Sequence, residues 1–190
     1  MLTNTRMIPD DIAPEFRSRP KAYAGADPIA GVRTLRLSRH TDDRGFFLEV
    51  FRATADRVTG GELARFFEGA PIAQINFSGV EADGHIKGLH YHLKQEDIWF
   101  FPPPSKAKVV LYDIRKDSPT FGRTQVIVSG GGADQLVRIP AGVAHGYRPL
   151  SNPCHLLYIV TEAFDAAAPD EYRIAWDHPA VKPLWEIPNG

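Results

Sequence analysis

The chain has 190 residues, enough for one domain with a sizeable core. With 22 basic and 23 acidic residues its formal net charge is −1, which argues against a general nucleic-acid or anionic-membrane binder but leaves room for a local basic pocket around a phosphorylated ligand. Cys154 is the only cysteine, so no intrachain disulfide can form; the lack of an apolar signal core or a membrane-length run adds to the expectation of a cytoplasmic protein.

Residues 1–28 are polar and broken by Pro9, Pro14, Pro20 and Pro28, and read as an N-terminal arm packed on a partner subunit. The folded domain is expected over 29–190. Its strand-like runs are Val32–Leu37, Gly45–Phe51, Ile72–Phe77, Ile86–His92, Ile98–Phe101, Lys108–Ile114, Thr124–Val128, Leu136–Ile139, Val143–Arg148, His155–Thr161 and Tyr172–Trp176. Most are short, rich in β-branched or aromatic residues, and bounded by Gly, Pro, Asp or Ser. One helix is predicted over Ala55–Phe67, where Val58, Leu63, Phe66 and Phe67 form an apolar stripe despite Gly60-Gly61. Gly130-Gly-Gly132 reads as a hairpin turn rather than a phosphate loop, since no helix or Lys-Ser/Thr follows it. The run Phe100-Phe-Pro-Pro-Pro104 reads as a rigid rim turn. Many short strands with one or two short helices predict an all-β fold, a double-sheet jelly roll of the cupin type.

The chemistry gathers in three places. Side chains alternate faces along a strand, so His90 and His92 point one way and Tyr91 the other. His145 follows the Pro140-x-Gly142 turn, which aims it towards the barrel mouth. Removing a proton beside a carbonyl needs a base that is neutral near pH 7 and an acid on the other face to return one. An ordinary imidazole pKa of about 6.5 suits the base. His90 and Tyr158 are the candidates; taken alone, Tyr158 in Leu156-Leu-Tyr-Ile-Val160 reads as a sheet aromatic.

A set of motifs carries a resemblance: Asp43-Arg-Gly-Phe-Phe-Leu-Glu49, Gln74-x-Asn76-x-Ser78, Gly88-Leu-His-Tyr91, Asp113-Ile-Arg-Lys-Asp-Ser-Pro-Thr-Phe-Gly122, Ile139-Pro-Ala-Gly-Val-Ala-His-Gly146, Leu157-Tyr158 and Trp176. The chain resembles the dTDP-4-dehydrorhamnose 3,5-epimerases, cupin-fold isomerases of nucleotide-linked 4-keto-6-deoxy sugars. The resemblance implies His90 as catalytic base, Tyr158 as acid, and His145 as a pocket histidine that helps hold the sugar. It implies Arg44, Glu49, Gln74 and Asn76 as nucleotide-sugar ligands, some reaching in from a neighbouring subunit of a homodimer with an exchanged N-terminal strand. It implies no cofactor.

Four positions depart from that pattern. Lys87 stands where the family has arginine, keeping the charge without the bidentate fork. The family's lysine on the next strand has no counterpart in Ile98-Trp-Phe-Phe101, where only Lys94 is near, and a second tyrosine beyond the acid is Phe164. The aspartate that orients the base lies, in the family, in a Ser-x-Lys-Asp segment for which the sequence shows no match before Gly190; Asp177, Asp97 and Glu96 are candidate substitutes. A single-position epimerase or a ketoisomerase therefore stands beside the full 3,5-enzyme.

A second resemblance competes. His90, His92 and Glu96, followed by His145, resemble the three-histidine, one-glutamate set by which metal-binding cupins hold a divalent ion such as Fe, Mn, Ni or Zn. His92, where the epimerases often carry glutamine, is the particular evidence, although it also reads as a pocket-lining hydrogen-bond donor. A third reading is a sugar-nucleotide binding protein that keeps the pocket without the chemistry.

Overall fold

The computed structural model describes residues 13–14, 28–52 and 62–187. The predicted arm therefore lies outside the described residues except for Ala13, Pro14 and Pro28, as does the first half of the predicted helix.

The described elements in chain order are β1 (Arg33–Arg36), β2 (Arg39–Asp42), β3 (Gly45–Leu48), α1 (Glu62–Phe67), β4 (Gln74–Val80), β5 (Lys87–Tyr91), β6 (Asp97–Phe100), β7 (Lys106–Asp113), β8 (Thr124–Gly130), β9 (Gln135–Ile139), β10 (Val143–Pro149), β11 (Cys154–Val160) and β12 (Tyr172–Arg173). A single 3-10 turn, Lys182–Trp185, follows. Each expected strand is present, with corrected ends: β3 stops at Leu48 rather than Phe51, and β12 at Arg173 rather than Trp176. Strand β2 was not anticipated, because Arg-His-Thr-Asp is exposed throughout and carries no apolar alternation.

The architecture is the expected double-sheet jelly roll. One five-stranded sheet has the order β1-β9-β6-β11-β4 and the other β12-β5-β10-β7-β8, while β2 and β3 form a separate hairpin. All pairings are antiparallel. Alternation along the strands sorts the apolar residues into three clusters. Trp99, Phe101, Val109, Leu111, Val137, Ile139, Tyr147 and Leu156 fill the space between the sheets. Ile98, Phe100, Leu136 and Ile159 turn the other way and are covered by Phe66, Leu63 and Phe67 of α1, so both faces of β6 are buried. Leu89, Val110 and Ala144 are covered by Val181 and Trp185 near the end of the described chain. Each fully buried aliphatic or aromatic side chain contributes roughly 1.5–3 kcal/mol of transfer free energy.

Gly130-Gly-Gly132 is a tight turn with positive φ at all three glycines, but not the expected hairpin, because β8 and β9 belong to different sheets and the turn carries the chain from one to the other. The proline turn is as expected, closed by Ser105, which donates its N–H to Pro102 O at 2.9 Å. No helix of the described residues is long and apolar enough to cross a membrane.

Candidate active site

A cavity of about 750 Å³ opens between the two sheets. The same alternation that builds the core aims polar side chains into it. Strand β5 and the residue after it supply His90 and His92, β6 supplies Asp97 and Trp99, β11 supplies Tyr158, and β4 supplies Gln74 and Asn76. Lys87 stands exposed at the rim.

The pairing of β5 with β10 is unusually close. Gly88 has φ +123°, and a Cβ there would lie 2.5 Å from Gly146 Cα; one on Gly146 would lie 2.6 Å from Lys87 O. Only two facing glycines permit this approach, which sets His90 opposite His145 in the register. Their ring centroids are 4.3 Å apart. The Pro140-x-Gly142 turn is tied to the same place, since Gly142 donates its N–H to His92 O at 2.8 Å.

Asp97 is the charge of this cluster and is only 2% exposed. Its Oδ2 accepts the Trp99 indole N–H at 2.9 Å, and its Oδ1 accepts the Gln95 side-chain amide at 2.7 Å. His145 Nε2 lies 3.5 Å from Oδ2 and His92 Nε2 lies 3.6 Å from Oδ1. Both imidazoles turn Nδ1 to a backbone carbonyl, that of Val143 for His145 and that of Asp170 for His92. A carbonyl only accepts, so Nδ1 carries the proton in each ring, and in the neutral form Nε2 presents a lone pair. Asp170 also braces the loop after β5, its carboxylate accepting the backbone N–H groups of Leu93, Lys94 and Gln95 at 2.9–3.0 Å.

The electrostatics set His90 and Tyr158 in different protonation states. Burial, and then the neighbouring His145, hold His90 well below the ordinary imidazole range, against the pull of Asp97, so His90 is neutral at pH 7. Burial, then Asp97 and Glu171, raise Tyr158 above its ordinary value and keep its proton on. Burial works against the charge on Asp97, but the histidines and the indole N–H outweigh it and hold the carboxyl below its usual range.

The structure brings together His90, His92, Tyr158, Gln74, Asn76 and Lys87, and places the other expected residues elsewhere. His145 is 2% exposed and packs behind His90, beneath the residues that line the cavity. Glu96 is not a member of the histidine cluster. It neighbours Asp97 and therefore points to the opposite face, under α1, where it accepts the Arg138 Nε–H at 2.6 Å. Arg44 and Glu49 belong to the exposed β2–β3 region, where they pair locally with Asp42 at 2.6 Å and with Arg52, away from this chain's cavity.

Asp97 itself was legible only as one of three substitute acids, and Trp99 was not among the expected site residues. The strand period would have found both, because Asp97, Trp99 and Phe101 share one face of β6. Asp177 is exposed and does not line the cavity.

Residues 26–189 match the family model described as dTDP-4-dehydrorhamnose 3,5-epimerase. The chain is 40% identical over 158 residues to the spore coat polysaccharide biosynthesis protein SpsL of Bacillus subtilis, covering 83% of this chain and 96% of that one. It is 32% identical over 148 residues to the dTDP-4-dehydrorhamnose 3,5-epimerase of Pseudomonas aeruginosa, covering 77% of this chain and 76% of the relative. Its fold superposes with a TM-score of 0.68 and 27% identity on a dTDP-6-deoxy-D-glucose-3,5-epimerase of Legionella pneumophila solved in complex with dTDP-4-keto-L-rhamnose, over 83% of this chain and 80% of that one.

Proposed function

Because the chain belongs to the dTDP-4-dehydrorhamnose 3,5-epimerase family, we propose that its cavity epimerises a dTDP-linked 4-keto-6-deoxy sugar with His90 as base and Tyr158 as acid. The family assigns an isomerase of dTDP-keto sugars, and the name of the Bacillus subtilis relative points to polysaccharide biosynthesis as the setting.

One observation carries the assignment of roles. His90 rises from β5 in one sheet and Tyr158 from β11 in the other, so a ring lying between them meets a neutral base on one face and a protonated hydroxyl on the opposite face. His90 takes the proton from the carbon beside the C4 ketone, the C–H pair moving into an enolate while the ring becomes an imidazolium. Tyr158 then gives its hydroxyl proton to the far face, forming the inverted C–H bond and leaving a tyrosinate that solvent reprotonates, while the His90 imidazolium returns its proton to solvent. Side chains of this chain account for both proton transfers.

The imidazolium needs a counter-charge. Asp97 fills that place beneath His90, held by Trp99 and Gln95, in the role that the family gives to its C-terminal aspartate. Lys87 at the rim suits the pyrophosphate, and Gln74 and Asn76 present amides along β4, with Gln74 donating to Asn76 Oδ1 at 2.6 Å. Arg44 and Glu49 act in the cavity of a second copy. Supporting this, the β2–β3 hairpin pairs with neither large sheet and exposes Phe46 and Phe47, the latter by 65%.

The test is incubation with a dTDP-linked 4-keto-6-deoxyglucose in D₂O. Deuterium at C3, C5 or both supports the reading and shows which carbon is inverted. No exchange with several such sugars, while dTDP still binds, would leave a binding protein instead.

A further inference from the structure

We infer that His90, His92, His145 and Asp97 form a binding site for one divalent transition-metal ion, with Asp97 rather than Glu96 as its carboxylate. One ligating atom from each of the four lies within 4.8 Å of the other three. Three of them are nearly or fully buried, with His92 6%, Asp97 2% and His145 2% exposed.

The tautomers carry the argument. The backbone carbonyls of Val143 and Asp170 take the Nδ1 protons of His145 and His92, which turns both Nε2 lone pairs towards one carboxylate. Hydrogen-bonded Nδ1 groups of this kind orient ligating imidazoles. His145 Nε2 is buried and has no hydrogen-bond partner, so the cluster holds an unused donor aimed inwards. The His145 Nε2 lone pair, 3.5 Å from Asp97 Oδ2, repels it unless a positive charge sits between them, whereas the Gln95 amide lies between His92 Nε2, at 3.3 Å, and Asp97 Oδ1, at 2.7 Å. One cation bound among the four groups answers that need and uses the His145 lone pair that no hydrogen bond takes.

Three imidazole nitrogens and one carboxylate suit Fe, Co, Ni, Zn or Mn and do not suit Mg or Ca, which prefer oxygen. The His90 lone pair cannot both bind a metal and accept a carbon-bound proton. The loaded and base-competent states of the site therefore exclude each other, and the ion acts as an inhibitor of the proposed reaction.

The experiment titrates the full chain, stripped with a chelator, with Co²⁺. The expected result is one equivalent per chain with the visible d–d bands of a nitrogen- and oxygen-ligated site, displaced by Zn²⁺ and unaffected by Ca²⁺. His92→Gln, which retains a polar side chain of similar size, weakens binding by more than the roughly 10–100-fold typical of losing an outer partner, with an unchanged circular dichroism spectrum. Asp97→Asn does the same, and Glu96→Gln leaves the bands in place. Absence of bands in the wild type, or bands that persist in His92→Gln and Asp97→Asn, would overturn the site. Deuterium exchange by the stripped chain is measured beside it. Exchange without any metal binding removes this inference and leaves the epimerase reading standing, whereas exchange that appears only after loading overturns the mutual exclusion and the metal-free proton transfer together.

Discussion

His90 and His145 face each other from β5 and β10 with ring centroids 4.3 Å apart, and the contact exists because Gly88 and Gly146 let the two backbones approach beside them. A methyl group at position 88 would meet Gly146 Cα at 2.5 Å and His145 O at 2.9 Å, both backbone atoms that cannot swing aside. Gly88→Ala is therefore expected to cost roughly 3 kcal/mol and to lower Tm by about 10 °C. Calorimetry checks this, and a Tm within a degree or two of wild type would show that the strands separate more easily than their packing indicates.

Replacing the base tests the assignment directly. His90→Asn should lower kcat roughly 10²–10⁴-fold, the usual contribution of a positioned general base, with little change in the affinity for dTDP. Steady-state kinetics with calorimetric dTDP binding separates the two, and a variant that keeps more than about half its wild-type rate would remove His90 from the proton transfer.

Tyr158→Phe should separate exchange from inversion. The base remains, so the substrate still trades its proton for deuterium on one face, but no hydroxyl is present on the other. Wash-in of deuterium with retained configuration is the expected outcome by NMR. Full inversion by this variant would point to another proton donor on the face opposite His90.

The hairpin residues give a mixing test for shared sites. Arg44→Ala and His90→Ala are each expected to be inactive alone. Mixed in equal amounts and allowed to exchange subunits, they should recover about a quarter of wild-type activity, because each hybrid dimer contains one cavity with an intact base and an intact hairpin. No recovery, with hybrid dimers demonstrated by mass spectrometry, would place Arg44 outside the site.

Stability in acid should depend on Asp113. This carboxylate is fully buried; burial opposes its charge, but Arg115, Ser118 and Thr120 donate to it and together hold its pKa below the ordinary 3.8. A carboxyl that is more acidic in the folded state adds stability above its unfolded pKa, and this is lost as the pH falls through the unfolded and then the folded value. Asp113→Asn is expected to cost about 3 kcal/mol at pH 7 and to unfold with a shallower pH dependence below about pH 4. Urea titrations across that range check it; parallel pH profiles for wild type and variant would mean that Asp113 carries no such linkage.

Much of the fold could be read from local pattern. Apolar alternation bounded by Gly, Pro and Asp marked eleven of the strands, because each run records which face must leave water. It missed β2, whose Arg39–Asp42 stretch is exposed on both faces and so leaves no trace in hydropathy. The same alternation put His90 and His92 on one face, and the motif set identified the family and, by resemblance, pointed to His90 and Tyr158.

What the one-dimensional pattern could not decide was which carboxylate and which histidine stand beside His90. Adjacent residues of a strand point to opposite faces, so Glu96 and Asp97 look interchangeable in a motif while one pairs with Arg138 under α1 and the other lies below His90. His145, which the resemblance gives as a pocket histidine that helps hold the sugar, is set behind His90 by the close approach at Gly88 and Gly146. The sequence by itself determined the strands, their faces and the chemical inventory, because those follow from local periodicity and side-chain type. Only the tertiary structure decided the neighbours of His90, since they come from strands β6 and β10, far apart in sequence, and their distances depend on how two sheets pack.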